Sequence, residues 1–278
     1  MVRRAHALVI GVLAAAAVTS SFVAGGSPAR AEGEPPGGPG TAGPPYEYET
    51  ALMGESALTP LPDQAMITRT EHGYLVRAGQ QDSHLVVTLT DEGLRFEDSG
   101  TQRWKKLARR CRSRDVAVGV AAVCRVPGWV SEDQPLLLEF WPRLGDDYFD
   151  ASTLGADYAM TMLSDAGHDT AHFGDGPDFF NGFTGRDRVW GGGGDDWIRT
   201  GDHADLVWGG GDDDQVIGSD GRDELYGEDG DDRLGGGAGD DRLDGGAGED
   251  FILCDIGLDG VLTDGIDRLL GCESVDGG

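Results

Sequence analysis

Ten aspartates stand nine residues apart, without a gap, in the second half of this chain: Asp169, Asp178, Asp187, Asp196, Asp205, Asp214, Asp223, Asp232, Asp241 and Asp250. Two residues after each lies an apolar side chain: Ala171, Phe180, Val189, Ile198, Val207, Val216, Leu225, Leu234, Leu243 and Ile252. Two residues before each lies glycine, except at His203 and Asp212, residue types that tolerate the left-handed backbone glycine otherwise supplies. A fixed period this short builds a solenoid in which every repeat makes the same small turn and strand. A carboxylate that returns in each glycine-rich turn points to a hard cation held by oxygen ligands.

The segments GGAGDDRLD (236–244), GGAGEDFIL (245–253) and GGGGDDWIR (191–199) resemble the nonapeptide G-G-x-G-x-D-x-U-x of the RTX, or haemolysin-type, calcium-binding repeat family. The likeness runs in unbroken phase over residues 164–253. It is degenerate at SDAGHDTAH (164–172), and TGDHADLVW (200–208) lacks the fourth-position glycine. The resemblance implies an all-β fold, a right-handed parallel β-roll with two nonapeptides per coil and several calcium ions in its turns. On that basis the metal ligands are the ten aspartates together with turn carbonyls around Gly176, Gly185, Gly194, Gly221, Gly230, Gly239 and Gly248. With two repeats per coil, Asp169, Asp187, Asp205, Asp223 and Asp241 line one edge; Asp178, Asp196, Asp214, Asp232 and Asp250 line the other.

Physical chemistry supports the same assignment. Glycines at positions 1, 2 and 4 let a six-residue turn curl with its carbonyls inward, and the three residues x-U-x form a short strand whose middle side chain enters the core. Coils lie ~4.8 Å apart. Two carboxylates at that spacing repel by roughly 3 kcal/mol at an effective dielectric near 20. A cation between neighbours turns that repulsion into ligation, and six to eight oxygens suit calcium better than magnesium's strict octahedron. On the order of eight ions fill the interior sites of such a stack. The chain's formal net charge is −28, and residues 145–278 hold 34 acidic residues against 7 arginines and no lysine, a net of −27. Without calcium such a polyanionic segment is expected to be disordered, and with calcium to fold. Nucleic acid is an implausible partner at this charge.

The first residues have the pattern of a secretory signal peptide. Arg3, Arg4 and His6 precede an apolar stretch from Ala7 to Val18, and Ala29-Arg30-Ala31 forms an A-x-A site with cleavage after Ala31. That apolar run is short for a membrane span, so no permanent membrane anchor is expected. The expectation is a secreted, extracellular protein. Four cysteines fall in two local pairs, Cys111–Cys124 and Cys254–Cys272, consistent with an oxidising compartment. A Pro/Gly-rich linker (32–45) leads to a small β-rich domain (46–143), with strands expected at Ala65–Thr70, Tyr74–Ala78, His84–Thr90, Leu94–Glu97, Val116–Val123 and Leu136–Trp141. LGDDYFD (144–150) opens a degenerate transition coil (144–163), out of phase with the main array, so the β-rich domain can serve as an N-terminal cap. The segment 254–278, with Ile256, Leu258, Val261, Leu262, Ile266, Leu269 and Leu270, is expected to cap the other end.

Two features lie outside the calcium pattern. RWKKLARRCRSR (103–114) holds seven basic residues in twelve. Trp104, Leu107, Ala108 and Cys111 fall at helical spacing, which predicts an amphipathic helix. The other reading is a patch for anionic polymer or lipid head groups, or a partner for the acidic roll. Trp190, Trp208 and Tyr226 recur at position 9 of alternate repeats, preceded there by His172, while Phe179 and Trp197 recur at position 7 on the opposite face. Such outward ladders either brace neighbouring strands or offer a surface to a glycan or protein.

No H-E-x-x-H, G-x-S-x-G or C-x-x-C occurs, and the carboxylate pairs are already accounted for by the repeat. The expectation is a non-enzymatic calcium-binding protein, structural or adhesive. The alternative is a secreted hydrolase or protease-like enzyme with its active site in residues 46–141 and the roll as a folding or export module.

Overall fold

The computed structural model describes residues 64–79 and 82–277. The expected signal peptide, the expected linker and the start of the expected β-rich domain lie outside the described residues. Twenty-three strands and no helix occupy the described chain, arranged in one 11-stranded and one 12-stranded sheet.

From residue 188 onward each nonapeptide contributes one six-residue strand: β13 (Arg188–Gly193), β14 (Trp197–Asp202), β15 (Leu206–Gly211), β16 (Gln215–Asp220), β17 (Glu224–Asp229), β18 (Arg233–Ala238), β19 (Arg242–Ala247) and β20 (Phe251–Ile256). Consecutive strands enter opposite sheets, and each pairs in parallel with the strand 18 residues on, as Val189 with Val207 and Ile198 with Val216. This is a parallel β-roll with two repeats per coil. The strands are longer than the three residues expected, because positions 2 and 3 of the next turn also pair, as Gly192 with Gly210 and Gly193 with Gly211.

The core follows the sequence pattern. Every position-8 side chain from Ala171 to Ile252 is buried. Each fully buried aliphatic side chain contributes roughly 1.5–3 kcal/mol, but nine residues supply only one of them. The N-terminal end is richer, with Tyr74, Phe96, Phe140, Phe149, Leu136, Leu138 and Met160 packed together.

That end is built from strands of the same two sheets. β1 (Gln64–Arg69) and β2 (Gly73–Arg77) pair antiparallel, and β2 joins β8 (Leu136–Trp141) in parallel. In the other sheet β3 (His84–Thr90), β4 (Gly93–Asp98) and β7 (Val120–Cys124) run antiparallel in turn, and β3 joins β9 (Tyr148–Asp150) in parallel. All six expected strands thus have counterparts, the fifth beginning at Val120 and not at Val116. β9 and β10 (Tyr158–Leu163) form the transition coil. Here the register step is 22 residues: Tyr148 pairs with Thr170 and Leu136 with Tyr158. The four extra residues fold into a local turn after β9, where the Leu154 amide donates to the Ala151 carbonyl at 2.9 Å and the Leu154 side chain is buried. Beyond it β11 (Thr170–His172) and β12 (Phe179–Asn181) take up the 18-residue register.

The amphipathic helix expected over 103–114 is absent; the segment is two strands, β5 (Arg103–Lys106) and β6 (Cys111–Arg114). β5 pairs with β1, and β6 runs antiparallel to β7 with Cys111 directly opposite Cys124, to which it is disulfide-bonded. Non-local pairing and the disulfide override a local helical pattern. The apolar stripe is still used: Ala108 and Cys111 are buried, and the Trp104 indole donates to the Ala121 carbonyl at 3.0 Å.

At the other end the roll runs on through β21 (Gly260–Thr263), β22 (Arg268–Leu270) and β23 (Ser274–Gly277). The Cys254–Cys272 disulfide ties this last coil down, and Val261 is buried. Ile256, Leu258, Ile266 and Leu270 stay exposed, so these residues extend the sheets instead of folding over their end.

Candidate metal centre

Each turn places its aspartate inside the coil. All ten repeat aspartates are buried, none more than 3 % exposed. Their side chains form two ladders, one on each edge, with the two sets of five separated as the two-repeat coil requires. In each ladder the backbone N–H of one aspartate donates to Oδ1 of the aspartate 18 residues later, at 2.7–2.9 Å: Asp169 to Asp187, Asp187 to Asp205, Asp205 to Asp223 and Asp223 to Asp241 on one edge. Asp178 to Asp196, Asp196 to Asp214, Asp214 to Asp232 and Asp232 to Asp250 form the other.

Glycine at position 1 makes room for this carboxylate. A Cβ on Gly191 would lie 2.3 Å from Asp196 Oδ2 and 2.2 Å from the Gly209 carbonyl oxygen, so both oxygens converge beside that bare Cα. At position 4 the backbone is left-handed in eight of the ten repeats, Gly176 and Gly221 excepted, and Gly239 (φ 148°) lies so close to the coil below that a Cβ would come within 1.4 Å of the Gly221 carbonyl oxygen. His203 (φ 88°) and Asp212 (φ 73°) adopt the same left-handed conformation, as their place in the repeat predicts. Position 2 is also left-handed, and there Phe183, Ser219 and Glu228 accept it without being glycine.

The other carboxylate oxygen is unsatisfied. Oδ2 of Asp169, Asp187, Asp196, Asp205, Asp214, Asp223, Asp232, Asp241 and Asp250 is buried without a hydrogen-bond partner. The exception is Asp178, whose Oδ2 accepts from the Gly174 amide at 3.2 Å. None of the three ion pairs among the described residues involves these aspartates. Buried unpaired carboxylates resist ionisation. Burial pushes Asp187 and Asp214 up to about 8, Asp223 and Asp232 to about 7 and Asp205 to about 6, each against the opposing pull of the backbone N–H it accepts. Burial also raises Asp178 and Asp196 well above the usual range, with neighbouring carboxylates adding to it.

These residues fit an oxygen-preferring divalent cation. The donors are carboxylate and carbonyl oxygens only. Among the described residues no three His, Cys, Asp or Glu side chains converge on one point, so one or two carboxylates must be completed by turn carbonyls. That donor set, irregular and all-oxygen, is what calcium accepts and magnesium does not. A bound cation would give the orphaned Oδ2 atoms a partner and neutralise the stack. The ligands would be Oδ2 of the ladder aspartates with carbonyls of the same turns, including those of Gly221 and Gly239, which lie in the gap between coils.

The ladders extend past the ten aspartates that periodicity marks. Asp147 lies below Asp169, its amide donating to Asp169 Oδ1 at 2.8 Å and its own Oδ1 accepting from the Ser83 amide at 2.6 Å. Asp259 lies above Asp241 at 2.9 Å, and Asp267 above Asp250 at 3.3 Å. All three keep an unpartnered Oδ2. Asp259 is in phase with the repeat, with Gly257 at position 4 and Val261 at position 8. An outer ladder runs the opposite way through the acidic residues at position 5: Asp195 accepts from the Asp213 amide and Asp213 from the Asp231 amide.

The aromatic residues form one stack on a single face of the roll. His172 and Trp190 are 4.2 Å apart at 8°, Trp190 and Trp208 4.6 Å at 11°, and Trp208 and Tyr226 5.9 Å at 12°. Tyr148 and His84 extend it below, and the Arg242 guanidinium covers Tyr226 above at 5.7 Å. The rings spend their flat faces on one another. On the opposite side Phe179 is buried instead of facing outward, 4.6 Å from Trp197.

Compared with known protein families, residues 181–216 and again 217–252 match the RTX calcium-binding nonapeptide repeat, described as four copies. No curated protein and no solved structure matches the chain. Residues 181–252 therefore carry RTX repeats, and calcium is the ion that such repeats bind.

Proposed function

We propose that this chain is a secreted calcium-binding protein whose repeats fold on calcium into a rigid extracellular β-roll with a structural or adhesive role. The observation that carries this reading is the double ladder of buried aspartates whose Oδ2 atoms, Asp178 excepted, lack a hydrogen-bond partner. A protein that leaves the cell as an unfolded thread and meets millimolar calcium outside would neutralise those carboxylates as it folds. The two disulfides fit an oxidising compartment. The signal peptide of residues 1–31 supplies the route.

The ten repeat aspartates are the proposed ligands, joined by Asp147, Asp259 and Asp267. Residues 64–141 contribute end strands to the roll's own two sheets, which supports a capping role for them over that of a separate catalytic domain. The aromatic stack supports bracing of successive coils. Any adhesion through it would use ring edges, which suits a protein partner better than the flat-face stacking a sugar requires.

The test is a calcium titration of residues 32–278 by calorimetry, with far-UV circular dichroism in parallel. Several ions binding together with a coil-to-β transition is the expected result. No binding at millimolar calcium, or unchanged ellipticity between chelator and calcium, would overturn the reading.

A further inference from the structure

The basic segment gains a specific geometry once it is seen as strands. Cys111 and Cys124 face each other and turn their side chains to the core. Side chains alternate along a strand, so Arg110, Arg112 and Arg114 share the outer face of this ribbon. Arg112 lies opposite Val123. Arg125 lies opposite Arg110, its amide donating to the Arg110 carbonyl at 3.1 Å. With Arg109 in the preceding turn, these five arginines line one open hollow whose floor is the buried Val123 and whose one acidic wall residue is Glu92.

Only one of the five has a counter-charge: Arg114 pairs with Glu92. The side chains of Arg109, Arg110, Arg112 and Arg125 have no carboxylate partner among the described residues. Like charges directly across a strand pair are destabilising, and here Arg110 faces Arg125. The described residues are rich in aspartate and glutamate, yet none of them but Glu92 pairs with this face. β6 is an edge strand, and one or two charges suffice to guard an edge against pairing. Edge protection therefore does not account for arginine on the neighbouring strand, or for five converging on one hollow. No ion pair joins this face to the acidic roll, which leaves the intramolecular-partner reading without support.

We infer that this hollow is a binding site for a multiply charged sulfate- or phosphate-type oxyanion. Arginine presents a planar fork that matches two oxygens of such a group at once. Several forks on one rigid, disulfide-pinned ribbon take an anion bearing more than one charged group. The net charge of −28 repels anions at long range, so binding must be short-ranged and confined to this face. The inference is independent of calcium ligation, because no residue of the ladders takes part.

The test uses sucrose octasulfate as a soluble probe, titrated into the calcium-loaded full chain by calorimetry. Arg110→Ser/Arg112→Ser is the disrupting variant, and its calcium-bound circular dichroism reports whether the fold survives these exposed substitutions. The expected result is binding that weakens with added salt and falls at least tenfold in the double variant. Arg110→Lys/Arg112→Lys, which keeps charge but not the fork, should fall in between. Sedimentation with phosphatidylglycerol vesicles, against phosphatidylcholine vesicles, identifies the source: co-sedimentation lost in the serine variant places the group on a lipid, and octasulfate binding alone places it on a soluble molecule. No octasulfate binding, or equal binding by parent and serine variant, would overturn the inference. Should the serine variant unfold, single Arg112→Ser and Arg125→Ser chains carry the same comparison.

Discussion

Asp214→Asn should change stability in opposite directions with and without calcium. Asp214 Oδ1 accepts the Asp196 amide at 2.9 Å, and its own amide donates to Asp232 Oδ1 at 2.8 Å. Asparagine can keep both bonds, because it retains an acceptor oxygen. What it loses is the charge and the unpartnered Oδ2. In the calcium-free fold, burial raises Asp214 from 3.8 to about 8, with Asp232 adding to it. At pH 7 the unfolded chain holds this group ionised while the fold holds it protonated. That mismatch costs the fold on the order of 4 kcal/mol at about 1.4 kcal/mol per pH unit. Asparagine never ionises, so in chelator the variant should be more stable by up to that amount. In calcium the sign reverses. A site filled a hundredfold above its Kd contributes about 2.7 kcal/mol to the folded state; Asp214 lies between two neighbours in its ladder, and loss of both flanking sites removes roughly 5 kcal/mol, more than the variant gains. Urea unfolding at pH 7, followed by far-UV circular dichroism in EDTA and in millimolar calcium, measures both. Where the chelated parent shows no cooperative transition, the β signal itself should rise in the variant. Destabilisation in both buffers, or a variant indifferent to calcium, would refute calcium ligation by the ladder.

Acidification should partly replace calcium. The folded-state values of Asp205, Asp223, Asp232, Asp187 and Asp214, about 6 to about 8, lie above the 3.8 of free aspartate, so these groups favour the fold below about pH 4 and disfavour it as pH climbs through 6 to 8. The chelated chain should therefore gain ellipticity as pH falls from 8 to 5, whereas calcium affinity should fall over the same window. Gly239→Ala should lower the unfolding free energy from urea titration by roughly 2 kcal/mol or more, because its Cβ meets a carbonyl and its φ is left-handed. Gly211→Ala, with nothing within 4 Å, should be nearly neutral in the same assay. In EDTA, amide hydrogen exchange should stay slow in β2, β4 and β8 and become fast from β13 onward, following the distribution of core side chains. Uniform exchange would contradict that division.

The register of the roll was legible because a nine-residue phase leaves no freedom: once Asp187 is assigned to one edge, Asp196 must take the other and Val189 must enter the core. Asp147 escaped because the four-residue turn containing Leu154 breaks the phase, placing it 22 residues from Asp169. Asp259 kept the phase, but the neighbouring Cys254 and Cys272 drew its segment into an expected cap. The outer ladder through Asp195 and Asp213 was hidden because exposed acidic residues need no partner to be explained. Segment 103–114 misled for a different reason. Trp104, Leu107, Ala108 and Cys111 satisfy a helical period locally, while the deciding contacts, β5 with β1 and β6 with β7, join residues far apart in sequence or across a disulfide.

The same contrast explains why one chain contains two kinds of stability. At the N-terminal end Tyr74, Phe96, Phe140 and Phe149 close a core of aromatic and aliphatic side chains, which is enough to order strands without help. Beyond Asp178 each nonapeptide offers one aliphatic side chain to the interior and also buries one carboxylate. Coil by coil, the apolar gain is set against a desolvated charge, and the fold cannot close on hydrophobic burial alone. An ion that binds only the folded turns removes that penalty at every step, so binding and folding become one event. Because each backbone N–H donates to Oδ1 of the following coil's aspartate, a coil that captures calcium also presents the donor that fixes the next carboxylate. Folding should thus propagate from the ordered N-terminal end toward Asp259, in nearest-neighbour fashion as in other repeat arrays.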